Sequence, residues 1–304
     1  MNANIELLDS IIKLKVEKEA IILAHNYQIG EVQDIADFVG DSLQLSIEAS
    51  KARGKIIVFC GVHFMAETAK ILSPTKKVLL PDKNSGCPMA DMISASQLQK
   101  LKNKHPGAVV VCYVNTSARV KALSDICCTS SNAVNVVKSI PKNKEIIFIP
   151  DKYLGSYVQS QTGREFILWN GYCPTHVMIN VKEIIELKKE HPDAVVIVHP
   201  ECTPDVIDIA DKVASTGGML KYAKESEKKN FIIGTEIGII YRLKKENPDK
   251  TFYPATGRAI CPNMKLINLE KILWSLEDER YEIKVPQEII EKARAAIDRM
   301  IAIK

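Results

Sequence analysis

Three cysteines, each followed by a proline, are the residues of this chain whose types and spacing best suit metal chemistry. Cys87, Cys173 and Cys261 lie far apart in the sequence. Thiolates bind zinc and iron–sulfur clusters, and three of them leave one coordination place open. The pattern fits a [4Fe-4S] cluster whose fourth iron lacks a cysteine. Two alternatives stay open: a zinc site with three cysteines and a free place, and three buried thiols in which proline only shapes a turn.

The other five cysteines are not expected to bind this metal. Cys60 and Cys112 lie in apolar β-type runs, where a free cysteine packs as a small apolar side chain. Cys127 and Cys128 are adjacent, and neighbours in a strand point to opposite faces, so core packing is expected there too. Cys202 is the one spare thiol near the predicted site, and no role is assigned to it.

An internal repeat places the three Cys-Pro pairs at matched positions. Three apolar runs each end in a polar triplet, and these triplets begin at His25, Tyr113 and His199. An aspartate follows twelve residues after each of these starting points, a serine or threonine follows after seventeen, and the Cys-Pro pair comes later at a nearly constant distance. The aspartates are Asp37, Asp125 and Asp211, and the hydroxyl residues are Ser42, Ser130 and Thr216.

Each repeat reads as four strands that alternate with helices. Strands of continuous Val, Ile and Leu in such an alternation predict a parallel sheet covered on both faces. We therefore expect an α/β protein of three three-layer αβα units, each with a parallel four-stranded sheet, around a pseudo-threefold axis. The expected boundaries are 1–90, 91–178 and 179–304, and the last range includes C-terminal helices, the final one starting after Pro286.

The polar motifs fall at the carboxyl ends of strands, where open parallel sheets bind ligands. Three such edges turned inward would form one cavity between the units. Ser42, Ser130 and Thr216 precede helical segments, so each is predicted to be an N-cap whose helix offers free N–H groups to the cavity. That arrangement suits a ligand with several carboxylate or phosphate groups. The repeated aspartates precede the second strands at the other end of the sheet, and we expect them to be structural.

Composition excludes several classes of protein. The 304 residues carry a net charge of +4, but lysines alternate with acidic residues, which is typical of solvated helix faces and not of a nucleic-acid-binding stripe. Neither an export signal nor a membrane-length apolar run is found in the sequence. Eight cysteines without such a signal indicate a reducing compartment, so a cytoplasmic location without nucleic-acid or membrane partners is expected.

Taken together, the motifs resemble those of the quinolinate synthase family. The segments run in family order from about Ile11 to Met264: IILAHNYQ, DIADFVGDSLQL, FMAETAKIL, CPMA, YVNTSA, TSSNAV, CPTH, IVHPEC, ASTGGM, GTEIG and CPNM. The resemblance implies a [4Fe-4S] cluster on Cys87, Cys173 and Cys261. It also implies condensation of iminoaspartate (iminosuccinate) with dihydroxyacetone phosphate to quinolinate, the precursor of NAD, with loss of phosphate and two waters. The enzyme that supplies iminoaspartate is a candidate partner.

Carried over position by position, the resemblance also implies the substrate contacts. They are His25, Ser42, Tyr113, Val114, Asn115, Ser130, His199, Glu201 and Thr216. Glu201 is the candidate base and Tyr27 the candidate proton donor, because a phenol with a pKa of about 10 gives or relays a proton more readily than it takes one. Some relatives carry two further cysteines where this chain has Ala255 and Arg258, so no thiol switch of that kind is expected.

Two other functions remain compatible with the residues. An iron–sulfur hydro-lyase would use the same open iron to dehydrate a hydroxy acid. A zinc-stabilised anion-binding protein would use the cysteines only to hold three units together. The roles of His63 and His176 are undecided, although His176 lies three residues after Cys173.

Overall fold

The structure is a computed structural model that describes residues 2–303, with side chains described from Ile5 onward. It contains three four-stranded sheets, and in each one the strand order is second, first, third, fourth. Every pair of neighbouring strands in these sheets is parallel. The predicted α/β class with three αβα units is therefore confirmed, while the boundaries after residues 90 and 178 stay a prediction.

The three repeats contain corresponding elements in the same order. The first has α1 (Asn2–Glu17), β1 (Ala20–His25), α2 (Gly30–Ile35), β2 (Phe38–Gly40), α3 (Ser42–Lys51), β3 (Ile56–Cys60), α4 (His63–Leu72) and β4 (Lys77–Leu79). The second has α5 (Ala95–Lys104), β5 (Val109–Tyr113), α6 (Ala118–Lys121), β6 (Ile126–Cys128), α7 (Ala133–Ser139), β7 (Ile146–Ile149), α8 (Lys152–Thr162) and β8 (Ile167–Leu168). The third has α9 (Val181–Glu190), β9 (Val195–Val198), α10 (Pro204–Asp208), β10 (Lys212–Val213), α11 (Thr216–Glu225), β11 (Asn230–Gly234), α12 (Ile239–Glu246) and β12 (Thr251–Pro254).

The repeated aspartates have one structural role, as expected. Each carboxylate accepts a hydrogen bond at 2.8 Å from a backbone N–H of the first strand of its own sheet. The pairs are Asp37 with Ile22, Asp125 with Val110, and Asp211 with Val196. Because each aspartate precedes the second strand, the bond fixes the start of that strand against its neighbour, at the end of the sheet opposite the cavity.

The cysteines of the apolar strands pack in the sheets as predicted. Cys60 lies in β3, Cys112 in β5, and Cys127 and Cys128 in β6, and all four are fully buried. Cys202 is also buried, and its thiol donates to a backbone carbonyl at 3.5 Å. These five thiols therefore belong to the packed interior.

Two further helices complete the chain, α13 (Leu269–Asp278) and α14 (Gln287–Ala302), and α14 begins after Pro286 as predicted. Arg294 on α14 donates to the carbonyl of Leu72 at 2.8 Å, in the first unit. Asn132 of the second unit donates to the carbonyl of Met300 at 3.0 Å. The last helix therefore joins the first two units, which carry two of the three Cys-Pro pairs.

Candidate active site

One cavity of about 650 Å³ opens between the three sheets, at the carboxyl ends of their strands. It brings together nearly all the residues that the sequence singled out. The predicted residues on its wall are Cys87, Cys173, Cys261, His25, Tyr27, Ser42, Tyr113, Asn115, Ser130, His199, Glu201 and Thr216. Val114 is the exception, because it is buried and lines a smaller neighbouring cavity instead.

The three Cys-Pro thiols lie in an environment that disfavours a bare thiolate. Burial, together with a smaller contribution from the charge of the neighbouring Cys261, raises the pKa of Cys87 to about 12. Burial and the charge of Glu201 raise the pKa of Cys173 well above its usual value. Burial also raises the pKa of Cys261. Since a metal ligand must be the thiolate, these sulfurs become charged only beside a cation that offsets their burial.

A chain of polar contacts crosses the cavity. The hydroxyl oxygen of Tyr27 lies 2.6 Å from Thr235 Oγ1, which lies 2.8 Å from His176 Nε2. On its other side, His176 Nδ1 lies 2.8 Å from Glu201 Oε2 and 3.1 Å from Cys173 Sγ. His176, which the sequence left undecided, therefore connects the candidate base, the candidate donor and a candidate metal ligand.

Glu201 is the carboxylate at the centre of this chain, and it is 3% exposed. Burial acts to raise its pKa, but the electrostatic interactions with the His176 and His199 rings and the hydrogen bonds from His176 and Tyr113 outweigh burial and lower the pKa to about 2. Tyr113 donates its hydroxyl proton to Glu201 Oε1. The carboxylate is therefore ionised at neutral pH. Its other oxygen, Oε2, is available to accept a proton.

Both tyrosines of the cavity stay protonated. Burial, followed by the charge of Glu201, raises the pKa of Tyr27 well above its ordinary value. The same two causes, in the same order, raise the pKa of Tyr113. Each phenol therefore presents an O–H donor at neutral pH.

The two triplet histidines have matching geometry in the first and third units. His25 Nδ1 accepts from the backbone N–H of Tyr27 at 3.2 Å, and His199 Nδ1 accepts from that of Glu201 at 3.3 Å. Burial lowers the pKa of each histidine to about 3. Each ring is therefore neutral with its proton on Nε2, and His199 Nε2 lies 3.2 Å from Ser130 Oγ. These rings are donors to an anion and not cations.

The predicted N-caps were wrong. Ser42 and Thr216 are the first residues of α3 and α11, and the caps are the preceding Asp41 and Ser215, whose side chains accept from backbone N–H groups of the first turn. Ser130 lies three residues before α7 and caps no helix. A cap needs extended backbone before the first helical residue, which Asp41 and Ser215 supply. The helices α3 and α11 nevertheless begin at the cavity wall.

Side chains from all three units meet beside these caps. Ser131 Oγ lies 2.6 Å from Asp41 Oδ2 and 2.8 Å from Ser215 Oγ. A Cβ atom on Gly217 would lie 2.6 Å from the same carboxylate oxygen, so only glycine allows this approach. Since Asp41 and Ser131 also line the cavity, the junction between the units forms part of its wall.

Thr235 and Glu236 are site residues that the sequence analysis missed. They directly follow β11, and their signal was a polar pair at the carboxyl end of a third strand. Glu236 Oε1 accepts from the backbone N–H of Cys261 at 3.1 Å and lies 2.9 Å from Lys265 Nζ. This buried carboxylate therefore positions the third Cys-Pro loop. His63 does not line the cavity, and its Nδ1 lies 4.0 Å from a carboxylate oxygen of Glu67.

Comparison with known proteins assigns the chain to a family. The family model described as quinolinate synthetase A protein matches residues 9–302. The chain belongs to this family. The quinolinate synthase of Dehalococcoides mccartyi strain CBDB1 is 56% identical over 293 residues, which cover 96% of this chain and 97% of that protein. The quinolinate synthase of Geotalea uraniireducens is 57% identical over 298 residues, covering 98% of each chain.

As a member of this family, the chain is an enzyme, and the predicted family resemblance is confirmed. The matched region begins within α1 and includes all twelve strands and both C-terminal helices. The cavity between the three units is therefore the candidate active site of the family fold. Within the described residues, no helix is both long and apolar enough to cross a membrane.

Proposed function

We propose that the chain is a quinolinate synthase, a transferase that condenses iminoaspartate (iminosuccinate) with dihydroxyacetone phosphate and releases phosphate and water. Its product, quinolinate, would feed NAD biosynthesis. The observation that carries the proposal is one cavity with three repeated thiols, two neutral histidines and a buried Tyr–Thr–His–Glu chain. The names of relatives more than half identical to this chain support the choice of reaction.

The donor set fits a [4Fe-4S] cluster on Cys87, Cys173 and Cys261 better than a single zinc ion. With Zn–S bonds of about 2.3 Å, a tetrahedral zinc ion would hold its sulfurs about 3.8 Å apart. Within residues 2–303, the one group whose three ligand atoms all lie within 4.8 Å of one another is Cys173, His176 and Glu201. Because the three Cys-Pro sulfurs are not grouped that closely, they favour a multinuclear centre.

When bound, such a cluster would supply a Lewis-acidic iron without a cysteine ligand, which suits the dehydrations of the proposed reaction. The residues of the chain would do the rest. His25 and His199 would donate N–H groups to substrate carboxylates, and the first turns of α3 and α11 would add backbone N–H groups. The remaining proposed contacts are Ser42, Tyr113, Asn115, Ser130 and Thr216, which all line the cavity, whereas Val114 does not.

Anion binding in this cavity would depend on neutral donors. Of the described residues that line it, none is a lysine or an arginine. Asn115 also lines the cavity, and its Oδ1, which has no hydrogen-bond partner, would accept from a hydroxyl or N–H group of a substrate. A polar group so placed is costly unless a ligand or water satisfies it. The proposed dicarboxylate and phosphate substrates would therefore be held by directional hydrogen bonds.

Proton transfer would run from both ends of the polar chain. Glu201 would accept a proton from the substrate and share it with His176, whose Nδ1 lies 2.8 Å away. Tyr27 would donate from the other end, and Thr235 would replenish its proton from His176 Nε2. Positioned acids and bases of this kind contribute typically about 10²–10⁴-fold to a rate.

The decisive assay is quinolinate formation from iminoaspartate and dihydroxyacetone phosphate, with protein prepared and assayed without oxygen. A hydroxy acid offered to the same protein tests the alternative hydro-lyase. Quinolinate formation that needs both substrates is expected. Dehydration of the hydroxy acid without quinolinate formation would overturn the proposal. We expect the enzyme to act in the cytoplasm, where a reducing environment would keep its eight cysteines as free thiols. The enzyme that supplies iminoaspartate stays a proposed partner.

A further inference from the structure

A separate cavity, of about 470 Å³, lies outside the candidate active site. It is bounded by the segment from Pro81 to Asn84, which leads to Cys87, and by α13 with the residues that follow it. We call it the α13 cavity. Nothing in the proposed reaction uses it, so its side chains need a separate explanation.

Two aromatic rings at the α13 cavity are partly exposed. Trp274 is 46% exposed and Tyr281 is 43% exposed, although both line a concave surface. Exposed indole and phenol rings offer flat apolar faces with a polar edge, which is the surface on which another aromatic ring stacks. The cavity therefore favours a ligand that contains a planar ring.

A buried hydroxyl on the same wall lacks a partner. Ser275 is 1% exposed, and its Oγ forms no hydrogen bond with any residue of the described chain. Buried hydroxyls are almost always satisfied, because an unmade hydrogen bond costs the full desolvation of the group. A ligand oxygen in the α13 cavity would satisfy it.

The charges of the α13 cavity are mostly positive. Lys83, Lys271 and Arg280 line it, against the single carboxylate of Asp82. Lys271 is 2.6 Å from that carboxylate, and Arg280 pairs with Asp278, so both are already neutralised. Lys83 has no ion-pair partner in the described part of the chain. It is the cation left for an anionic ligand.

We propose that the α13 cavity binds a planar aromatic anion, with its ring on Trp274 and Tyr281 and its carboxylate or phosphate group between Lys83 and the Ser275 hydroxyl. A pyridine carboxylate of the quinolinate kind and a nucleotide share this chemistry. The site is separate from the active site, so the inference does not depend on the proposed activity.

Hydrogen bonds connect the wall of the α13 cavity to the Cys-Pro loops. Asp82 Oδ1 accepts from the backbone N–H of Asn84 at 2.8 Å, which shapes the wall. Two residues further on, the carbonyl of Gly86 accepts from Asn263 Nδ2 at 2.9 Å. Asn263 belongs to the loop that follows Cys261. A ligand in the α13 cavity would therefore contact the segment that leads to Cys87 and is hydrogen-bonded to the Cys261 loop.

The test uses Trp274 as the reporter. The chain has two tryptophans, so Trp169→Phe leaves Trp274 alone. Quinolinate, adenosine monophosphate and inorganic phosphate are titrated separately into the cluster-loaded variant without oxygen, and Trp274 emission is followed. We expect saturable quenching by quinolinate or by the nucleotide, which distinguishes the two sources, and a much weaker effect of phosphate because it has no ring.

Two further substitutions assign the binding to the named groups. Lys83→Glu should weaken it by about tenfold or more, the equivalent of about 1.4 kcal/mol. Lys142→Glu makes the same change of charge at an exposed lysine outside the cavity and should leave it unchanged. Ser275→Ala should weaken binding while leaving the melting temperature unchanged or higher, because it removes an unsatisfied buried hydroxyl.

The same substitutions also decide the outcome if Trp169→Phe does not fold. Calorimetric titration of otherwise native, cluster-loaded protein with the nucleotide and, separately, with quinolinate, each with and without Lys83→Glu, then gives the comparison. No saturable binding up to about 10 mM, which corresponds to a free energy weaker than about 3 kcal/mol, would overturn the proposal. So would binding of inorganic phosphate as tight as that of the aromatic anions, or binding that Lys83→Glu does not change.

Discussion

The hydroxyl oxygen of Tyr27 lies 2.6 Å from Thr235 Oγ1, and the two residues come from the first and third repeats. His176 of the second repeat lies 2.8 Å from the same threonine oxygen through its Nε2. One hydroxyl group thus joins side chains of all three units. This relationship gives Thr235 a positioning role for the two residues expected to handle protons.

Thr235→Val should lower turnover and leave the cluster in place. Valine has the shape of threonine without the hydroxyl, so Tyr27 and His176 would lose the atom that connects them. We expect kcat to fall by about tenfold or more, an activation-barrier increase of about 1.4 kcal/mol. Thr235→Ser, which keeps the hydroxyl, is the matched control and should restore most of the rate. Equal rates of the valine and serine variants at equal iron content would contradict the positioning role of the Thr235 hydroxyl.

Glu201→Gln and Tyr27→Phe should separate proton transfer from assembly. Each change nearly keeps the shape of its side chain but removes the group that takes or gives a proton. Both variants should retain the cluster absorbance and still bind quinolinate, because the histidines and helix N-termini remain. Quinolinate formation should fall by about 10²–10⁴-fold. Near-normal rates of both variants in the anaerobic assay would require other groups to transfer the protons.

His25 and His199 should make the free energy of unfolding depend on pH. Burial lowers the pKa of each to about 3, whereas an unfolded histidine has a pKa of about 6.5. Between these values the unfolded chain binds protons that the folded chain does not. Stability should therefore be fully present above about pH 6.5 and fall on acidification, by about 1.4 kcal/mol per pH unit for each histidine.

His25→Gln tests this sign. The free energy of unfolding is measured with urea on reduced, cluster-free protein between about pH 5 and 6.5, which lies below the ordinary histidine pKa and above the usual carboxylate range. It should depend less steeply on pH in the variant than in the parent chain. An unchanged slope would show that His25 is not buried in its neutral form.

Substitution of the three Cys-Pro thiols should abolish iron binding. Cys87→Ala, Cys173→Ala and Cys261→Ala each remove one proposed ligand from the cavity. The controls are Cys→Ser changes at buried thiols outside it: Cys60, Cys112, Cys127 and Cys128. These four variants should keep their iron. Iron loss from a Cys127 or Cys128 variant with an unchanged circular dichroism spectrum would mean that other thiols are the ligands.

The sequence was enough to predict the fold because its repeat is regular. Continuous apolar strands, each followed by a polar triplet, predicted three parallel sheets, and the spacing of the Cys-Pro pairs placed Cys87, Cys173 and Cys261 on one cavity. The order of the strands in each sheet was not predicted, because apolar periodicity does not say which strands are neighbours.

Local chemistry was harder to predict than the architecture. The cap of α3 was placed one residue late, although Asp41 and Gln44 form a reciprocal capping box that the sequence pattern displays. Thr235 was missed because a threonine at a strand end is common, and only the fold brings it within 2.6 Å of Tyr27. Contacts between units distant in sequence have no local signature.

Metal analysis tests the central claim most directly, namely that three repeated thiols in one shared cavity hold an iron–sulfur cluster. The measurement is iron, acid-labile sulfide and zinc per chain in protein produced and purified without oxygen. We predict about four iron and about four sulfide, the content of a single cubane, with little zinc. One zinc per chain without iron or sulfide would contradict the account.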